Sequence, residues 1–152
     1  ERRQIGVVDQ DGGSAARTGS LNTPWAGHIV GSNYVAMGNA LAGEQVVRSM
    51  VTEFENTEED DLEDRLLRAI IAGSDAGGEV KDSTPYHSAA LLVFATDSFS
   101  RVDLRVDDHP APLIELKRLL RLYKPRMQMF SVRARDPESA IALTNDREVP
   151  PY

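Results

Sequence analysis

The segment from Val102 to His109, V-D-L-R-V-D-D-H, limits the possible folds more than any other part of the chain. Successive side chains of a β-strand point to opposite faces, so a strand here has one aliphatic and one polar face. The aliphatic face consists of Val102, Leu104 and Val106. The polar face consists of Asp103, Arg105, Asp107 and His109. The sequence therefore predicts a strand packed on a core, with a polar row that is either a surface salt-bridge ladder or the floor of a polar site.

The segments on both sides of this strand favour a layered arrangement. Residues Ser88 to Thr96 are almost continuously apolar, which is typical of a strand buried on both faces. After the polar row, an apolar helical stripe runs from Leu113 to Tyr123, and prolines are tolerated in its first turn. Asp107 or Asp108 could cap this helix, and we expect Asp108 to do so.

The first forty residues favour β-structure. The segments Ile5 to Val8 and Ser14 to Ser20 flank an Asp-Gly-Gly sequence, which predicts a β-hairpin. Two further strands are predicted at Trp25 to Gly31 and Tyr34 to Met37, so the four strands read as a meander, with the tryptophan in the core. Two aspartates in the first turn are too few for a calcium loop, and we interpret this segment as a plain turn.

The middle of the chain has helical periodicity. Apolar residues from Val46 to Phe54 form one amphipathic stripe. Those from Leu62 to Ile71 form a second stripe, which Gly73 is expected to end. The acidic run from Glu53 to Asp64 is interpreted as a solvated junction in which Asp60 or Asp61 caps the second helix. Strands, then two helices, then strand, strand and helix predict an α+β fold built from stacked layers.

The composition excludes several classes of protein. The 152 residues include no cysteine, which excludes disulfides, thiolate catalysis and cysteine-ligated metal centres. The net charge of −7 argues against a nucleic-acid partner, because phosphate binding needs a basic surface. No apolar run is long enough to span a bilayer, and the N-terminus lacks the apolar part of a signal peptide. We therefore predict a cytoplasmic protein with no membrane partner that binds a small molecule or a peptide.

The polar row could carry chemistry in more than one way. A metal site could use Asp103, Asp107 or Asp108, and His109, because carboxylates with an imidazole suit zinc, manganese or iron. Arg105 lies between two of these carboxylates and would keep both ionised, which disfavours a paired acid–base mechanism. The guanidinium could equally bind a substrate carboxylate. We predict that the chain uses neither a metal nor a cofactor.

Seven motifs occur in the order and at about the spacing typical of one protein family. They are R-Q-I-G-V-V-D (Arg3 to Asp9), R-T-G-S (Arg17 to Ser20), W-A-G-H (Trp25 to His28), M-G-N-x-L-A-G (Met37 to Gly43), A-G-G-E (Ala76 to Glu79), H-S-A-A-L-L-V (His87 to Val93) and V-D-L-R-V-D-D-H-P (Val102 to Pro110). From about Gln4 to Tyr123 the chain resembles the domain-of-unknown-function 1028 family. That family is similar in turn to the N-terminal-nucleophile (Ntn) hydrolases.

The resemblance implies a four-layer α-β-β-α sandwich of the Ntn-hydrolase type, lacking its N-terminal strands in this chain. Residues 1–123 would be the C-terminal portion of the family domain, and residues 124–152 an extension packed on it or trailing from it. Ntn hydrolases use Thr, Ser or Cys at the start of the mature chain as the nucleophile, a part that Glu1 cannot play. The resemblance thus implies an amidohydrolase for a small-molecule or peptide amide, with its nucleophile in a missing N-terminal segment of the same domain.

The same resemblance implies a set of site residues. Asn39 is the expected oxyanion stabiliser, although Gly38 and Asn39 could simply turn the chain into the following helix. The expected catalytic and anchoring groups are Asn39, Asp103, Arg105, Asp107 and His109. The expected substrate-binding residues are Thr18, His28, Glu79 and Ser88. His28 is alternatively a hydrogen-bonded structural residue.

Three places depart from the family pattern: Arg17, Met37 and the segment from Val80 to His87. These departures weaken the transfer of ligand contacts around the glycine-rich loop. A different class of function is therefore kept as the alternative, namely a non-catalytic ligand-binding or assembly module on the same sandwich. In either case a homodimer is expected, because twofold dimers are the commonest oligomers.

Overall fold

The computed structural model describes residues 1–80 and 87–138, and within these ranges the chain forms six strands and three helices. Two compact units make up the chain, Glu1–Pro85 and Tyr86–Tyr152. Antiparallel strand pairs combined with helices confirm the predicted α+β class. Among the described residues, no helix is both long and apolar enough to cross a lipid bilayer.

Two β-hairpins form the strands of the N-terminal unit, as the local turn signals predict. Strand β1 (Gln4–Val8) pairs antiparallel with β2 (Ser14–Thr18), and β3 (Gly27–Gly31) pairs antiparallel with β4 (Tyr34–Gly38). In the first turn, Asp9 accepts two backbone N–H hydrogen bonds through one carboxylate oxygen, at 2.9 and 2.7 Å. This use of the aspartate confirms the plain turn, because Asx side chains stabilise turns in this way.

The two hairpins pack against each other as separate layers. Each hairpin forms its own two-stranded sheet, so the predicted four-strand meander is wrong. The layers approach closely at Gly6, where a Cβ atom would lie 3.0 Å from Val35 Cγ1. A meander requires β2 and β3 to pair edge to edge, whereas residues 19–26 carry the chain from one layer to the next.

Helices α1 (Glu44–Asn56) and α2 (Leu62–Asp75) occupy the two segments in which the sequence has helical periodicity. They pack together, and α1 also contacts β3 and β4. The buried core at this interface consists of Ala36, Leu41, Val46 and Val47. Trp25 is partly buried against the same cluster, which confirms its predicted core role, although β3 begins two residues later.

Three details of the helices differ from the sequence predictions. Gly73 does not end the second helix but lies buried inside α2. The helices pack closely at this position, because a Cβ atom on Gly73 would lie 2.6 Å from Met50 Cγ on α1. The acidic junction is not wholly solvated, because Glu63 in the first turn of α2 has no exposed surface. Asp61 is the N-cap residue, but its side chain makes no capping hydrogen bond to the helix.

The hydroxyl group of Tyr34 makes stability depend on pH. It donates a 2.5 Å hydrogen bond to Glu55 Oε1, while the ring packs edge-on against Phe54. Burial, followed by this hydrogen bond, raises the pKa of Tyr34 to about 12. The folded pKa lies above the unfolded value of about 10, so the contribution is complete below about pH 10 and is lost as the pH rises towards 12.

We therefore expect the melting temperature of the wild-type protein to fall more steeply between pH 10 and pH 12 than that of Tyr34→Phe. Thermal unfolding followed by circular dichroism across this range measures the difference. Glu58→Gln changes an exposed side chain just after α1 and leaves Tyr34 and Glu55 in place, so this control should keep the wild-type slope. Equal slopes for wild type and Tyr34→Phe would contradict the assignment.

The C-terminal unit combines a strand pair with one long helix. Strands β5 (Ala89–Phe94) and β6 (Ser100–Val106) pair antiparallel, and α3 (Pro112–Arg135) packs against both. The buried residues of this unit are Leu91, Val93, Val102, Val106, Leu116 and Leu120. Burial of Val102 and Val106 confirms that the aliphatic face of β6 packs on a core.

Strand β5 is not buried on both faces, contrary to the prediction. Leu92 and Phe94 are 56% and 59% exposed, while Leu91 and Val93 between them are buried. Strand β6 also differs, because it ends at Val106 and the polar row is only partly in the strand. An apolar run indicates that a strand can be buried, but it does not show whether one or both faces of the strand are covered.

Helix α3 begins with Pro112, as the sequence predicts, and continues through Pro125 to Arg135. Tyr123 stacks on Phe130 with ring centroids 5.7 Å apart, so the apolar contacts continue beyond the predicted stripe. The predicted boundary between residues 1–123 and 124–152 stays a prediction. Residues 81–86 and 139–152 lie outside the described ranges. They include most of the segment from Val80 to His87, which departs from the family pattern, and the end of the predicted extension.

Candidate functional site

A glutamine side chain connects the two hairpins of the N-terminal unit. Gln4 and Thr18 are partners in the register of β1 and β2, and Gln4 Nε2 donates a 3.1 Å hydrogen bond to Thr18 Oγ1. The same nitrogen donates to the backbone carbonyl oxygens of Gly27 and Gly38, at 3.2 and 2.8 Å. Gln4 therefore joins the paired ends of β3 and β4 to the opposite layer.

Three further side chains extend this connection into a network. Asn39 Nδ2 donates a 3.0 Å hydrogen bond to Gln4 Oε1, and Thr18 Oγ1 lies 2.8 Å from His28 Nδ1. The order of the network is thus Asn39, Gln4, Thr18, His28. We call these four residues the polar network. It contains no carboxylate and no basic group other than the imidazole.

One end of the polar network borders a cavity of about 450 Å³. Sites for small ligands are concave and typically 300–1,000 Å³ in volume. The residues that line the cavity are Thr18, Gly19, Ser20, Asn22, Pro24, Ala26, Gly27 and His28. Predicted substrate-binding residues Thr18 and His28 are therefore neighbours on one cavity, although whether they bind substrate stays a prediction.

Glu79 is held near the network by its backbone. It forms an antiparallel bridge with Leu41, whose N–H donates to Trp25 O at 3.0 Å. The next residue, Val80, donates a 2.7 Å hydrogen bond to Ala40 O. The Glu79 side chain is exposed and is not a member of the polar network. Within residues 1–80 and 87–138, no group of three or more histidine or acidic side chains could hold a metal ion.

The predicted catalytic row on β6 belongs to the C-terminal unit. Arg105 Nη2 and Nε donate to Asp107 Oδ1 at 2.5 and 3.2 Å, and these two side chains are 68% and 78% exposed. The hydrogen bond to Asp107 raises the pKa of Arg105. Asp103 is also exposed. Arg105 and Asp107 thus form an exposed ion pair on a strand that also exposes Asp103, and the catalytic role of all three stays a prediction.

His109 has a structural contact at the start of α3. The ring nitrogen Nδ1 of His109 accepts a 3.0 Å hydrogen bond from Ala111 N–H. The backbone N–H of His109 donates to the backbone oxygen of His87, also at 3.0 Å. The predicted cap by Asp108 is wrong, because Ala111 is the N-cap residue and the imidazole satisfies its N–H. Ser88 is exposed in the residues that precede β5.

Replacing His109 with alanine should lower the free energy of unfolding by about 1 kcal/mol, because the N–H at the start of α3 loses its acceptor. His109→Asn should recover part of this loss, since a side-chain oxygen can accept the same hydrogen bond. Urea denaturation of the full chain measures both variants. His87→Ala is the matched control, because that imidazole is exposed and only its backbone takes part. Wild-type stability for His109→Ala would refute the structural role.

Sequence reasoning missed Gln4 as a site residue. Glutamine at the start of a strand matches no common catalytic pattern, and its importance depends on carbonyl groups more than twenty residues away in the chain. One signal was present: Gln4 and Gly6 alternate with the apolar Ile5 and Val7, which are 55% exposed. This inverted alternation places the polar residue and the glycine on the face that packs inward.

This chain is similar to known proteins in both sequence and structure. Residues 1–116 match the family of unknown function DUF1028. A crystal structure of a protein from Silicibacter pomeroyi, described by the same family, is similar with a TM-score of 0.68 and 35% sequence identity. The similarity covers 79% of this chain and 50% of that protein, so this chain spans about half of its length. Among curated proteins, no sequence matches this chain.

Proposed function

The chain belongs to the DUF1028 family, and from this premise we propose that it forms the substrate-binding part of an Ntn-type amidohydrolase acting on a small-molecule or peptide amide. The observation that carries the proposal is the polar network that ends at a cavity of about 450 Å³. The nucleophile is supplied by a segment outside this chain. Its hydroxyl or thiol adds to the amide carbonyl, the amine leaves with a proton, and water then releases the acid.

The arrangement of layers supports a four-layer α-β-β-α sandwich. Within the N-terminal unit the order is hairpin, hairpin, helix pair, which accounts for three successive layers. The C-terminal unit, taken by itself, is a strand pair with a helix packed on it. On the outer face of the first hairpin, Ile5 and Val7 are each 55% exposed. Apolar residues side by side on a sheet face favour a covering layer, which in this proposal comes from the segment outside the chain.

Asn39 is the oxyanion stabiliser in this proposal. One of its two amide hydrogens is used in the hydrogen bond to Gln4 Oε1, and this bond orients the amide while a second N–H stays available. Thr18 and His28 bind substrate in the cavity, and Glu79 and Ser88 are retained from the motifs as further substrate-binding residues. Asp103, Arg105, Asp107 and His109 are retained as the acid–base and anchoring groups.

Intact-mass spectrometry and N-terminal sequencing of the natural gene product test this proposal. We expect a mature polypeptide that begins with Thr, Ser or Cys and is continuous with, or copurifies with, residues 1–152. A β-lactone electrophile should label that first residue stoichiometrically, and the product should release amine from a panel of N-acyl amino acids and short peptide amides. A product that lacks such a first residue and releases no amine would overturn the proposal.

A non-catalytic ligand-binding or assembly module is the second candidate. It is favoured by the β6 row, where Asp107 is already paired with Arg105 and His109 Nδ1 is already used by Ala111. If the protein is such a module, we expect it to bind the same amides saturably and to release no amine from them. In both candidates the protein is a homodimer, which sedimentation equilibrium of the natural product would measure.

A further inference from the structure

We propose that Gln4 is a positioning residue that acts through Thr18 to hold His28 as the neutral tautomer with its proton on Nε2. His28 would then bind a neutral carbonyl oxygen of a ligand in the cavity. The inference deepens the proposed function, and it rests on that function only in identifying the oxygen as the carbonyl of the substrate amide. The tautomer itself follows from the hydrogen bonds of the polar network.

The orientation of the Gln4 amide is fixed by its partners. Carbonyl oxygens only accept hydrogen bonds, so the group facing Gly27 O and Gly38 O must be the NH2 of the glutamine. Asn39 donates to the other end of the amide, which must therefore be the oxygen. Both ends independently require the same orientation. In that orientation the two hydrogens of Gln4 Nε2 serve three acceptors, Thr18 Oγ1 and the two carbonyl oxygens, so one hydrogen is shared between two of them.

The orientation of Gln4 determines what the Thr18 hydroxyl can do. Its oxygen accepts from Gln4 Nε2, and its single O–H is left to donate. Among the hydrogen bonds of the described residues, the only acceptor for that O–H is His28 Nδ1, at 2.8 Å. A nitrogen that accepts carries no proton, so the neutral imidazole carries its proton on Nε2.

His28 lines the cavity, and its Nε2–H is the donor that the Thr18 contact leaves unused. No residue in the described ranges accepts a hydrogen bond from this nitrogen. A ligand that fills the cavity must therefore place an acceptor oxygen there to avoid leaving a polar group unsatisfied. The lining contains no Lys, Arg, Asp or Glu, so a neutral carbonyl is favoured over a carboxylate that would lack a cation.

Nitrogen NMR of the histidine rings tests the tautomer in the full chain. The protein has three histidines, and His28→Phe identifies the signals of one of them. We expect wild-type His28 to have the shift pattern of the Nε2–H form. Gln4→Met and Thr18→Val should each move this pattern towards an average of the two tautomers. The matched controls Gln45→Met and Thr52→Val replace exposed residues of α1 and should leave it unchanged.

A backbone amide spectrum confirms that each variant is folded, and Thr18→Val serves as the second test if Gln4→Met does not fold. Wild-type His28 in the Nδ1–H form would overturn the inference. A pattern that stays unchanged in a folded Gln4→Met or Thr18→Val variant would overturn it as well. The control variants separate this result from general effects of adding an apolar side chain.

Two probes of nearly equal size test the ligand chemistry. N-acetylglycinamide should shift the His28 Nε2–H signal. Its apparent Kd should rise about tenfold in Gln4→Met, because binding is weaker in that variant. N-acetylglycine should bind more weakly than N-acetylglycinamide. Stronger binding of the acid would overturn the assignment of a neutral carbonyl ligand. The absence of a His28 shift with both probes would also overturn it. Binding of N-acetylglycinamide without any amide hydrolysis by the natural product would contradict the proposed function while supporting this inference. Hydrolysis without a shift of the His28 signal would support the proposed function and contradict this inference.

Discussion

Replacing Val102 with aspartate is expected to abolish cooperative folding of β5, β6 and α3. Val102 has no exposed surface, and it packs in the apolar core of the C-terminal unit. A carboxylate there would be buried without a partner, and such changes cost about 4–5 kcal/mol or more. Domains have total stabilities of only about 5–15 kcal/mol, so this cost removes most or all of the stability of the unit.

Hydrogen exchange of the full chain, resolved by segment with mass spectrometry, measures this effect. Residues 87–135 should lose protection in Val102→Asp. Leu92→Asp is the matched control, because it places the same residue on the exposed face of the paired strand. Leu92 lies opposite Asp103, so a like-charge pair should cost about 1 kcal/mol or less. Equal loss of protection in the two variants would refute the assigned faces of the strand pair.

The outcome at β6 also explains what the sequence could and could not predict. Alternation of apolar and polar residues identified the buried face, because a half-buried strand must alternate. The end of the strand and the use of His109 were not predictable in the same way, since they depend on how the chain enters α3. Asp108 has the better cap residue type, but the imidazole of His109 is the group that reaches Ala111 N–H.

The same distinction applies to the N-terminal unit. Turn signals predicted both hairpins, because such turns are encoded by a few neighbouring residues. The stacking of the hairpins depends on contacts between distant residues, such as Gly6 with Val35, and a meander was the wrong interpretation. Gly73 illustrates a similar limit: the sequence shows a glycine, but only the packing of α2 on Met50 explains why it lies inside the helix.

The candidate site was partly predictable. Thr18, His28 and Asn39 were identified as motif positions, and the structure brings all three into one network. Gln4 joins them, yet its residue type alone indicates no chemistry. Its role arises because the first residue of β1 lies against the paired ends of β3 and β4, where two carbonyl oxygens need a donor. This placement is a property of the layered fold and not of the local sequence.

The second large effect is expected at His28. Under the proposed function, His28→Phe in a protein that carries the nucleophile segment should lower kcat/KM for an amide substrate by about 100- to 1,000-fold. The carbonyl oxygen that His28 Nε2–H binds is the one that becomes the oxyanion, so His28 donates to it in addition to Asn39, and removing one such donor usually has this cost. The phenyl ring keeps the planar shape but removes both ring nitrogens, so Thr18 also loses its acceptor. Steady-state kinetics on the best amide of the substrate panel measures this loss.

His87→Phe is the matched control, because that imidazole is exposed and lies in the C-terminal unit. We expect kcat/KM of this variant to stay within about twofold of the wild-type value, because surface substitutions usually have small effects. Asp107→Asn provides a separate comparison for the β6 row. A loss as large as that of His28→Phe would establish the row as part of the catalytic machinery, in agreement with the motif-based prediction. Wild-type kinetics for folded His28→Phe would instead exclude the cavity as the reaction site, because its only imidazole would then have no role in turnover.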